Sequence, residues 1–137
     1  MTLEDIEKSL PNGLHDSQLH RLHVDYEHRK LQADVAVWVG ELDEPSEKRE
    51  RYRRARIEIT GLIFLVIEPP DPRYPFLDTA RLTVDGCDKR ENLDIALLKS
   101  LPEKSFFRSL WVGEWNTFIH VAATDARLFW IDKDSSS

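Results

Sequence analysis

Cysteine is nearly absent from this chain. Cys87 stands alone, so no disulfide can form within it. That sets aside the secreted, disulfide-stapled scaffolds and suits a reducing, cytoplasmic compartment. Long hydrophobic runs are also lacking. Gly61–Ile67 is the longest, far short of a bilayer span. The N-terminal MTLEDIEKSL is acidic where a secretory leader would be apolar. A membrane is therefore not the expected partner. Positive charge is in deficit: 19 Lys and Arg against 25 Asp and Glu leave a net charge of −6. Phosphate neutralisation supplies most nucleic-acid affinity, so nucleic acid is not expected either. The P-loop, GxGxxG, HExxH and GxSxG patterns are all missing. Nothing in the chain predicts a cofactor, and no catalytic residue is assigned.

What remains is ordinary globular material. With 137 residues, 41% hydrophobic and 32% charged, the chain suffices for one domain, residues 1–137, with a real core. The polar tail Asp132–Ser137 is expected to fray. No internal repeat is present.

The alternation of side chains predicts mainly β structure. In RARIEITGLIFLVI, Ile57 and Ile59 alternate with Arg56, Glu58 and Thr60, and the residues from Leu62 to Ile67 are all apolar. This reads as one long strand with a wet face at first and cover on both faces later. Gly61 in its middle predicts a bulge, a bend or a close backbone approach. Leu22, Val24 and Tyr26 alternate with His23 and Asp25, and Leu31 to Val39 keep strict spacing of two. Joined by polar Glu27–Lys30, they predict a β-hairpin. Further strands are expected at Ala80–Val84, Phe106–Val112, Thr117–Ala123 and Ala126–Ile131. Asn92–Leu101 fits a helix or a strand, with a lean to a strand ending in a helical turn. At the N-terminus, Thr2 and Asp5 form a capping-box pair, with Leu3, Ile6 and Leu10 on one helical face. The expected fold is an antiparallel sheet or sandwich of six to eight strands with one short N-terminal helix. Its core should hold Leu22, Val24, Val35, Val37, Ile57, Ile59, Phe64 and Val66.

Four groups of side chains invite a chemical reading. His15, Asp16, His20 and His23 carry the ligand types of zinc and non-haem iron. On a helix Asp16, His20 and His23 would share a face. In a strand, residues three apart diverge, and the plainer reading is a turn with wet histidines. Trp38, Trp111, Trp115 and Trp130 fit either a core or a stacking surface. The core reading is preferred for the set, with Trp38 on the less apolar face of its strand as the exception. The basic cluster Lys48–Arg56 interleaves with glutamates and reads as a self-paired, solvated face. Cys87 and His120 would make a dyad only if the fold brought them together, and no motif supports it. For binding, the stiff segment Glu68–Phe76, the charged connection Glu41–Arg54 and the Trp38 face are the expected surfaces. Arg73 and Tyr74 are residue types enriched at interface hot spots, although Tyr74 and Phe76 are also suited to tack their segment onto the core.

Two stretches carry a resemblance. GLHDSQLHRLHVDYEHRKLQADVAVWVG resembles the opening of small bacterial proteins in which a His-Asp turn precedes a β-hairpin. That opening is similar to one in immunity proteins of polymorphic-toxin systems. RARIEITGLIFLVIEPPDPRYPF, together with VGEWNTFIHVAATDARLFW, is similar to uncharacterised bacterial proteins of the same layout. The resemblance implies a protein partner and no catalytic residues. The expectation is a non-catalytic protein-binding domain, immunity or antitoxin-like. The alternative is a small metal-dependent hydrolase using Asp16, His20 and His23.

Overall fold

The computed structural model describes residues 1–40, 51–74, 81–91 and 93–131. Helix α1, Leu3–Ser9, opens on the capping box: Thr2 Oγ1 accepts the Asp5 N–H at 3.0 Å, and Asp5 accepts the Thr2 N–H at 2.9 Å. Leu3, Ile6 and Leu10 are buried, as their spacing requires. The chain then passes through β1 (Pro11–Leu14) into β2 (Ser17–Asp25) and β3 (Lys30–Trp38). This is the expected hairpin, but β2 starts well ahead of the Leu22 alternation. Leu19 pairs with Val35 and Arg21 with Asp34, which leaves His20 unopposed in a bulge. That extra residue breaks the period of two and hides the strand's first half from a pattern search. Leu22 and Val24 are half-buried, and Tyr26 stands exposed in the turn.

Strand β4, Tyr52–Thr60, pairs with β3 along its whole length. It begins inside what the sequence reads as the connection Glu41–Arg54, whose residues 41–50 lie outside the described ones. Ala55, Ile57 and Ile59 point into the core. At Gly61 the backbone takes φ +62°, and a Cβ there would sit 2.0 Å from Thr124 Oγ1. The predicted close approach is thus real. Beyond it β5 spans only Phe64–Ile67, with Phe64, Leu65 and Val66 half-buried and Ile67 exposed. The apolar run is therefore not covered on both faces.

β6, Leu82–Cys87, runs straight through Asp85-Gly86, which the sequence reads as its end. Gly86 serves there as a gap: a Cβ would meet Glu7 Oε1 at 2.0 Å. The ambiguous Asn92–Leu101 yields a short helix, α2 (Ile95–Lys99), capped by Asp94 and burying no residue. β7 (Phe106–Val112), β8 (Thr117–Ala123) and β9 (Asp125–Trp130) fall where expected. Phe76, Ala80 and Asp132–Ser137 lie outside the described residues.

The protein is mainly β, with eight strands in one antiparallel sheet of order β5-β8-β7-β6-β2-β3-β4-β9. The two ends of this order are joined through the chain itself. β4 continues past Gly61 into β5, and β8 past Thr124 into β9. Thr124 N–H donates to Thr60 O at 3.3 Å and Ile63 N–H to Ala122 O at 2.8 Å, so the two long arms stay paired across the bend. The ladder returns on itself, which shields most edge groups from unwanted pairing. Inside lie Leu31, Val35, Val37, Ile57, Ile59, Val84, Val112, Ile119 and Val121, with Leu3 and Ile6 of α1 packed in. β7 and β8 are buried on their second face too, through Phe107, Ser109, His120 and Ala122. Among the described residues no helix is long and apolar enough to cross a membrane.

Candidate functional site

The second face of β7 and β8 holds the most organised side-chain cluster. His120 is 0% exposed and lies between Phe107 and Phe118, ring centroids 5.9 and 6.0 Å away. Its Nδ1 is 2.8 Å from Ser109 Oγ, and its Nε2 is 2.7 Å from Glu68 Oε2. Ser109 Oγ also lies 2.8 Å from Lys89 O and donates to it. A hydroxyl has one hydrogen. With that hydrogen on Lys89 O, Ser109 Oγ is left to accept from His120 Nδ1.

This order of serine, histidine and carboxylate is that of a nucleophile chain. Here, however, Ser109 is 0% exposed and its hydrogen is committed to a backbone carbonyl. The network ties the 88–91 turn and the end of β5 to the sheet. It also occupies both nitrogens of His120, so the imagined Cys87–His120 dyad does not form. The Cys87 thiol is pushed up by burial, which makes it a poor nucleophile.

Beside this network the 88–91 turn and the sheet border an open, shallow groove of about 460 Å³. Its walls are the Trp111 and Phe118 rings, Asp85–Cys87 of β6, and Asp88, Lys89 and Glu91 of the turn. Trp111 is 40% exposed. The preference for a core position thus fails for Trp111 and for Trp130, which is 38% exposed. β7 alternates Phe106, Leu110 and Val112 inward, so Trp111 must face out, a parity that was readable from the sequence. Trp115 does pack against the core. Trp130 faces Arg53, whose Cζ lies 4.0 Å from its ring.

The groove connects the residues singled out for binding. On one side His15 Nδ1 meets Asp85 Oδ2 at 3.0 Å, and the His15 ring packs on half-buried Trp38 at 6.0 Å. Asp85, followed by Asp16, raises the His15 pKa above its ordinary value. On the other side Trp111 Nε1–H donates to Asn116 Oδ1 at 3.3 Å, and Asn116 reaches Asp71 at 3.5 Å. Asp71 accepts three bonds from Arg73, whose side chain holds its carboxyl well below the usual range. Arg73 and Tyr74 are both exposed, so Tyr74 does not tack its segment onto the core.

Within the histidine cluster His15 Nε2 and Asp16 Oδ2 lie 3.5 Å apart, but the four residues do not converge: His15 Nδ1 turns to Asp85, His20 sits in the β2 bulge and His23 faces outward opposite Gln32. Burial, then the nearby Arg54, lowers the His20 pKa. Among the described residues the trio close enough to share a cation is Asp25, Glu27 and His28, with ligand atoms within 4.8 Å. It occupies the exposed β2–β3 turn, where Asp25 already accepts the His28 N–H at 3.1 Å. Residues 48–50 of the basic cluster lie outside the described ones; of the rest, Arg56 pairs not with a glutamate of its own run but with Asp34 of β3, Nε donating at 2.8 Å, and Arg21 lies 3.4 Å from the same carboxylate.

Compared with protein-family models, with curated proteins and with solved structures, the chain matches none. The site therefore rests on its geometry. Sequence reasoning missed Ser109, His120 and Glu68 as a unit because they come from three strands or strand ends. Only their shared register reveals them: Ser109 pairs with His120, and His120 with Val66 beside Glu68.

Proposed function

We propose that this chain is a non-catalytic protein-binding domain of a bacterial cytoplasm, with an immunity or antitoxin-like role. The observation that carries the reading is the exposed Trp111 ring beside a groove, with Trp38 on one flank and Arg73 and Tyr74 on the other. Exposed Trp, Tyr and Arg around a concavity match the composition of interface hot spots. Asn116 fixes the Trp111 ring, His15 packs on Trp38 and Asp71 holds Arg73, which lowers the entropy cost of association. The single thiol favours the reducing compartment. The four residues of the metal-hydrolase alternative, His15, Asp16, His20 and His23, gain no support from their placement.

The test is alanine substitution at Trp38, Arg73 and Trp111 with affinity measured for a partner recovered by crosslinking. Loss of about tenfold in affinity is expected for Trp111→Ala. The melting temperature should move by no more than a few degrees. Unchanged affinity in all three variants would remove this surface.

A further inference from the structure

We infer that the groove takes a basic side chain, arginine or lysine, presented by an exposed loop of a protein partner. This deepens the protein-binding reading and rests on it. Three carboxylates, Asp85, Asp88 and Glu91, line the groove, each met by a basic side chain of the chain itself: His15, Arg90 and Lys89. Two aromatic rings form its walls, and a ring face attracts a cation. A cation already uses this chemistry. Lys89 Nζ lies 5.5 Å from the Phe118 centroid and 3.2 Å from Glu91 Oε1. Arg90 pairs with Asp88 at 2.9 Å while its guanidinium covers Phe107 at 4.7 Å, outside the groove. These exposed pairs are weak, so an incoming guanidinium can replace them at little cost. The chain's net charge of −6 steers the same class of partner, while an anion would meet three carboxylates.

The probe is the pentapeptide acetyl-Ala-Arg-Ala-Arg-Ala-amide, with its glutamate counterpart as control. The Trp111 indole resonance, identified by its loss in Trp111→Phe, is followed by NMR during titration. The arginine peptide should shift it in a saturable way and slow alkylation of Cys87, which lines the same groove. The glutamate peptide should do neither. Asp88→Asn with Glu91→Gln should weaken the arginine peptide about threefold, and Lys89→Ala, which removes the resident cation, should strengthen it. A Trp111 response equal for both peptides, or none, would overturn the inference. So would a weaker affinity in Lys89→Ala. A partner complex sensitive to Trp111→Ala but not to Asp88→Asn with Glu91→Gln would also overturn it and leave the binding reading standing. Insensitivity to all groove variants and to Trp38→Ala and Arg73→Ala would end both.

Discussion

Val37 and Gly61 show how single positions carry the fold. Val37 is 0% exposed inside the closed sheet, with β4 beside it. Val37→Ala removes buried methyl groups and leaves a cavity, costing about 1–3 kcal/mol. Urea unfolding should show this as a lower midpoint at unchanged slope; a loss under about 0.5 kcal/mol would contradict the strand register. Gly61 is constrained twice, by φ +62° and by the Thr124 side chain at 2.0 Å from where a Cβ would stand. Gly61→Ala should therefore destabilise by about 2 kcal/mol or more. Thr124→Ala removes the nearest clashing atom but not the dihedral strain. The double variant should thus fall short of additive loss, and strict additivity would mean the two sites do not touch.

At the scale of elements, helix α1 depends on a contact that its own sequence does not announce. Arg108 of β7 donates to Glu7 through Nε at 2.7 Å and through a terminal nitrogen at 2.8 Å, and both side chains are nearly enclosed. Losing one partner strands a charge, so Glu7→Gln should cost about 3 kcal/mol in denaturant unfolding. Glu7→Leu with Arg108→Leu should cost clearly less than the sum of the two single changes. The capping box and the Leu3–Ile6–Leu10 face were legible because helix signals are local. β7, β8 and β9 were legible because their runs are long and bounded by turn residues. The first half of β2 was not, since the His20 bulge shifts the phase. Nor was Asp85-Gly86 as strand interior, since the reason for Gly86 lies on α1, remote in sequence. Trp38 and Arg73 could be nominated as candidates for binding one by one. Their link through Asp85, Trp111 and Asn116 depends on register across several strands, which composition does not encode.

The whole molecule should respond to acid more than to mild alkali. Native contacts lower the pKa of Asp5 through the Thr2 amide, of Asp25 through the His28 amide, of Asp34 through Arg56, of Asp71 through Arg73 and of Asp125 through the N-terminus. A carboxyl whose folded pKa is depressed adds stability above its unfolded value, near 4, and loses it as pH falls through the folded value. Near neutrality two histidines oppose each other. His15, raised by Asp85, stabilises below its reference value of 6.5 and loses that as pH rises through the folded value. His20, lowered by burial, contributes above 6.5 and loses that as pH falls. The first loss falls above pH 6.5 and the second below it, so the melting temperature should pass through a shallow maximum near pH 6.5 and fall steadily below about pH 4.5. Relief of the −6 net charge pulls the other way on acidification, but exposed charges are screened at ordinary salt. Asp34 is the test case, as its carboxylate is well covered and held by Arg56 and Arg21. Asp34→Asn should lower stability at pH 7 and make the acid limb shallower in melts at constant ionic strength. A melting temperature that rises on acidification from pH 6 to 4 would mean that self-repulsion, rather than these paired carboxylates, governs the pH dependence of this fold.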